Sequence, residues 1–178
     1  MTKSIIILTI GLLILIGCQN RSNSNENIDR HSESYIKQRI DSIYSRFNNP
    51  TYNQNGRRII DYSYNYDSAY CSSRYNVLLN QALKLLDDDD ILLDYDHWTS
   101  SQDPEDFTYE IGGIENITDT TANVILKAKN WGENYTVTLC LFFEKGDWFV
   151  DDFIKEYGFK SEKSYLCDFI KKHTGKNN

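Results

Sequence analysis

FTYEIGGIENITDTTANVILKAKNWGENYTVTLCLFFEKGDWFVDDF, residues 107–153, is the stretch on which the fold turns. Four segments in it alternate apolar and polar residues: 107–114, 122–130, 135–144 and 148–153. A strand points successive side chains to opposite faces, so this alternation predicts four half-buried strands. The connections carry Asn130-Trp131-Gly132-Glu133-Asn134 and Lys145-Gly146-Asp147, which read as hairpin turns of an antiparallel meander. Gly112-Gly113 falls inside the first strand and predicts a bulge or sharp bend.

Upstream of this sheet the period changes. Tyr35, Ile36, Ile40, Ile43, Tyr44 and Phe47 make an apolar stripe of a helix over 33–48, which Pro50 ends by restricting the residue before it. A second stripe, Tyr75, Leu78, Leu79, Ala82, Leu85 and Leu86, predicts a helix capped by Ser72 or Ser73. It runs into Asp87-Asp88-Asp89-Asp90, four carboxylates that oppose the dipole at a helix C-terminus. Between the two helices lies a tyrosine-rich tract, IIDYSYNYDSAY (59–70), read as the polar-edged side of the core. Tyr165, Leu166, Phe169 and Ile170 predict a last helix over 161–173, with Lys171, Lys172 and His173 suiting its C-terminal turn. The expected class is α+β: N-terminal helices packed on a curled four-strand antiparallel meander, with a short C-terminal helix.

The N-terminus reads as an address. Lys3 precedes an apolar run from Ile5 to Ile16, about 18 Å as a helix and too short for about 30 Å of hydrocarbon. Leu15-Ile16-Gly17-Cys18 resembles the bacterial lipobox, in which the cysteine is lipidated after cleavage. The expected organisation is a signal peptide over 1–17, a disordered polar tether over 18–33 that includes a solvated His31, one domain over 34–173 and a tail over 174–178. Gln19 after the cysteine, with no acidic pair close behind, resembles the sorting pattern for the outer membrane; which face is left open.

Helix, helix and curled meander, with Asp94-Tyr95-Asp96-His97-Trp98, Gln102-Asp103 and Trp148-Phe149-Val150-Asp151-Asp152, resembles the nuclear-transport-factor-2-like (cystatin-like α+β) superfamily. More narrowly it is similar to a lipoprotein branch of that superfamily without an assigned function. The resemblance spans about Tyr35 to Ile170 and implies a cone-shaped fold; because the superfamily holds isomerases, dehydratases and non-enzymes, it does not imply an activity.

Charge and chemistry narrow the classes. The formal net charge is −7, and near −8 once Lys3 leaves with the signal, which argues against nucleic-acid binding. From Leu85 to Leu126 there are twelve carboxylates and no lysine or arginine. That belt, with Asp87–Asp90 at its head, reads as a solvating face or as a docking surface for a basic envelope protein. No metal or cofactor is expected. The aspartate run lacks the mid-loop glycine and distal glutamate of a calcium loop, and no His or Cys pair stands at zinc-ligand spacing. Cys71, Cys140 and Cys167 allow three pairings, and Cys71–Cys167 is expected because it would clasp an early helix to the last one. His97, flanked by Asp94 and Asp96, is the one candidate for acid–base work, although the aspartate-rich surroundings favour an exposed loop histidine. The expected protein is a lipid-anchored envelope domain that binds a partner without catalysis. The alternatives are a small-molecule binder or lyase/isomerase using the cone cavity with His97 and Asp94 or Asp96, and an immunity-type inhibitor of a secreted toxin.

Overall fold

The computed structural model describes residues 28–48, 51–56, 58–59, 65–87, 89–155 and 161–175. The signal segment, Cys18, the tether up to residue 27 and Asp88 lie outside the described residues. Among the described residues no helix is long and apolar enough to cross a membrane.

The sheet is the predicted meander. Strands β3 (Thr108–Glu115), β4 (Thr121–Asn130), β5 (Glu133–Glu144) and β6 (Asp147–Lys155) pair antiparallel in the order β3-β4-β5-β6. A smaller ladder, β1 (Thr51–Tyr52) with β2 (Arg58–Ile59), precedes it. Alternation sets the buried face: Ala122, Val124, Leu126 and Ala128 of β4 line up with Val137, Leu139 and Leu141 of β5. The register shifts between Ile111 and Gly113, so the glycine pair does carry a bulge. A second bulge was not foreseen. Leu141 faces Val150 and Cys140 faces Asp152, which leaves Asp151 as the extra residue in β6.

Helices α1 (Glu33–Ile43), α2 (Ser45–Asn48), α3 (Tyr66–Tyr70), α4 (Ser73–Leu83) and α5 (Glu162–Thr174) complete the α+β architecture. Ile36, Ile40 and Ile43 of α1, Tyr75 and Ala82 of α4 and Leu166 of α5 join the strand residues in one core. Ser32, Ser72 and Ser161 cap α1, α4 and α5, each accepting a hydrogen bond from the backbone three residues on. The single helix expected over 33–48 is instead broken at Tyr44. There Tyr44 and Phe47 both enter the core, their rings 5.5 Å apart, and the Tyr44 hydroxyl donates to the Trp98 carbonyl at 3.0 Å.

Contacts with the sheet also involve residues that precede the expected start of the domain. The Trp148 indole donates to the Arg30 carbonyl at 2.6 Å, and the His31 ring lies 4.5 Å from Phe143 and 5.4 Å from Trp148. Arg30 and His31, within the segment expected as tether, thus contact the β5–β6 hairpin. His31 is half-buried rather than solvated, because its ring fills a gap between two aromatic side chains.

Candidate functional site

The site is built around the loop that follows α4. Asp96 and Ser101 exchange backbone hydrogen bonds, and the Asp96 carboxylate accepts from the Trp98 backbone at 2.8 Å. That tight turn directs the side chains of His97 and Trp98 inward. His97 is 7% exposed and stacks on Phe153, with ring centroids 4.6 Å apart. The exposed loop histidine suggested by its aspartate neighbours is therefore corrected: Trp98 and Phe153 draw the segment into the core.

The partners of His97 come from elsewhere in the chain. Its Nε2 lies 2.8 Å from Oδ1 of Asp67 on α3, and its Nδ1 lies 3.1 Å from Oε1 of Glu162 on α5. Tyr75 donates its hydroxyl to that same Glu162 oxygen, and Tyr95 donates to Oε2 at 3.2 Å. The Trp98 indole donates to Asp67 Oδ1 at 2.8 Å. Each ring nitrogen faces a carboxylate oxygen, an arrangement that an imidazolium satisfies by donating from both. Burial opposes that charge, but hydrogen bonds to Asp67 and Glu162, and their negative charges, push the imidazole up to about 10. Burial also works against the Asp67 carboxylate, yet the bonds from His97 and Trp98 hold it below its ordinary value. An imidazolium donating from both nitrogens has no lone pair with which to act as a general base.

Asp94 and Asp96, which sequence proximity assigned to His97, are not its partners. Asp94 is exposed and accepts from Gln102 at 3.4 Å; Asp96 faces Arg46 at 3.9 Å and holds the Trp98 backbone. The residues that sequence reasoning missed are Asp67, Glu162, Tyr75 and Tyr95. Neither Asp67, inside the tyrosine tract, nor Glu162, in the first turn of a helix, has a local pattern pointing at residue 97.

A second buried acid organises the neighbouring end of the helices. Asp151, set free of the ladder by the β6 bulge, accepts from Ser72 at 2.6 Å, from Arg74 and from Lys163 at 2.6 Å. Burial disfavours its charge, but these donors hold its pKa below the ordinary value. Asp152 accepts from the Ser161 hydroxyl at 2.6 Å and from the Lys163 backbone at 2.9 Å, which fixes the start of α5. The Asp-Asp pair of the late motif is thus a helix anchor.

A cleft of about 850 Å³ opens beside His97. Its lining includes the apolar Leu79, Leu83, Leu86 and Ile91 and the acidic Asp67, Asp90 and Asp94, together with the buried His97. No residue of β3–β6 lines it. The sheet's inner face is filled by Trp98, Phe107, Phe153 and the aliphatic core, so this cleft lies away from the sheet. Of the acidic belt, Asp87, Asp89, Asp90, Asp94, Asp103 and Asp106 are exposed, whereas Asp96 and Glu105 are half-buried.

Cys71, Cys140 and Cys167 are free thiols, so the expected Cys71–Cys167 bridge is not formed. Cys71 is pinned by a parallel bridge to Val150 and turns its sulfur toward Asp67 and His97 instead. Burial raises its thiol well above the ordinary value and lifts that of Cys140 to about 11. Set against protein-family models, curated proteins and solved structures, the chain matches none.

Proposed function

We propose that this chain is a lipid-anchored bacterial envelope protein whose nuclear-transport-factor-2-like domain binds a basic, partly apolar segment of a protein partner and performs no catalysis. The observation that carries this reading is the composition of the cleft. Its apolar lining includes Leu83 and Ile91, 48% and 74% exposed, and the acidic-belt carboxylates Asp90 and Asp94 line the same cleft. Apolar area of this kind contributes about 25 cal/mol per Å² when covered, and the acids select cations and speed encounter. The one acid–base residue nearby has both nitrogens occupied, which removes the main support for cone-cavity chemistry with His97 and Asp94 or Asp96.

Placement along the sheet favours the same reading. The N-terminal segment joins the domain at Trp148, whereas Tyr95, in the cleft lining, meets Lys155 at the other end of β6. At about 3.3 Å per residue, the strand between them spans roughly 23 Å. A partner would therefore meet the domain away from the point where the lipid tether enters.

Two measurements test this. Fractionation should find the wild-type chain in membranes and Cys18→Ala in the soluble fraction; equal solubility would contradict the anchor. Amide-shift mapping should then follow titration of the soluble domain with a synthetic amphipathic lysine–leucine peptide and its glutamate–leucine counterpart. The reading requires shifts from the basic peptide that centre on 79–98. No binding, equal response to both peptides, or shifts centred elsewhere would overturn it.

A further inference from the structure

We infer that Asp67, Cys71 and His97 form a binding site for a divalent metal ion of the zinc class. A carboxylate oxygen, a thiol sulfur and an imidazole nitrogen of these residues all lie within 4.8 Å of one another. Tetrahedral zinc with bonds of about 2.0 to 2.3 Å separates its ligand atoms by roughly 3.3 to 3.8 Å, so closing the set needs only side-chain adjustment. Asp67 and Cys71 are presented together because one helical turn separates them, closed by the Cys71 backbone donating to the Asp67 carbonyl at 2.8 Å.

The surroundings are those a metal site uses. His97 directs Nδ1 at the Glu162 carboxylate, which orients the ring and leaves Nε2 facing Asp67. Asp67 is steadied in turn by the Trp98 indole. Among the described residues the Cys71 sulfur has no hydrogen-bond partner, although it is 3% exposed and aimed at two potential ligands. Asp67 and His97 also line the cleft, which provides an entry path and a fourth position for water.

Charge and proton balance are satisfied. A 2+ ion held by one carboxylate, one thiolate and one neutral imidazole makes a neutral centre. Its entry releases two protons to solvent, one from Nε2 of His97 and one from the Cys71 thiol. The mixed nitrogen and sulfur donors favour zinc or cobalt over calcium and magnesium. The motif escapes a sequence search because the ligands form no His or Cys pair. This inference is independent of the peptide-binding reading, since the metal would tie α3 to the 96–101 turn whether or not the cleft is filled.

The test is cobalt and zinc titration of tag-free, chelator-treated domain under reducing conditions. Wild-type protein should take up one cobalt ion per chain with thiolate-to-cobalt charge-transfer absorption that zinc abolishes. The absorption should persist in Cys140→Ser and Cys167→Ser and vanish in Cys71→Ser. Asp67→Asn should weaken uptake about tenfold or more. Circular dichroism establishes that each variant is folded, and the wild-type spectrum alone can decide the matter. Absence of a charge-transfer band in wild type, substoichiometric uptake, or a band that survives in folded Cys71→Ser would each overturn the assignment.

Discussion

Nε2 of His97 lies 2.8 Å from Oδ1 of Asp67, a residue on helix α3 thirty positions earlier in the chain. The relationship joins the 96–101 turn to α3, and the opposite nitrogen joins the same ring to α5 through Glu162. One side chain therefore ties three separate segments around the end of the core.

Removing that tie should be costly. His97→Gln leaves Asp67 and Glu162 without their shared cation, and breaking a buried pair from one side costs about 3 to 5 kcal/mol. Chemical denaturation of the metal-free protein should show a loss of that order with an unchanged m-value. A loss below about 1 kcal/mol would mean that the network contributes little to the fold.

Asp151 gives the stability curve an acid limb. Its folded pKa is depressed, so its contribution is fully present above the ordinary carboxylate value and is lost as pH falls through the folded one. Arg74 and Lys163 face it, the Arg74 guanidinium pushed up by its bonds to Asp151, and the nearby Cys71 and Cys140 thiols are raised by burial and stay neutral in that window. Asp151→Asn should lower stability at neutral pH by about 2 to 3 kcal/mol and flatten the decline below about pH 4. Parallel acid limbs in the two proteins would show that Asp151 does not set the slope.

The N-terminal segment makes a more local prediction. A chain beginning at residue 33 lacks the Arg30 carbonyl that receives the Trp148 indole, the His31 ring and the Ser32 cap. It should be less stable than a chain beginning at residue 28 by about 1 to 3 kcal/mol. Equal thermal midpoints would show that these contacts do not stabilise the domain.

The sheet was legible because each strand has one buried face, and burial on one face writes a period of two into the sequence. Thus 122–130 matches β4 to within one residue, and Gly112-Gly113 marks the bulge in β3. Helix α3 was not read, since five residues with two tyrosines carry no period and depend on tertiary contacts. The break at Tyr44 was hidden for a related reason: its stripe continues past the point where the chain turns. The candidate site fared worst. Local composition placed His97 among exposed aspartates, whereas its actual partners are acids from an early helix and the last one. The late Asp151-Asp152 motif was visible, but its role as a helix anchor emerges only once the β6 bulge frees Asp151 from the ladder.

The central claim is that exposed acids and an apolar wall beside His97 make a docking cleft for a basic segment. Its most direct measurement is calorimetric affinity for the lysine–leucine peptide at low and at physiological salt, using wild type and Asp89→Asn/Asp90→Asn/Asp94→Asn. These carboxylates are exposed, so the substitutions should leave folding stability within about 0.5 kcal/mol. Wild-type affinity should fall as salt shortens the screening length to about 8 Å. The triple variant should bind more weakly by about two- to fivefold per charge removed, with less salt dependence. An affinity that neither added salt nor loss of the three charges alters would contradict the account.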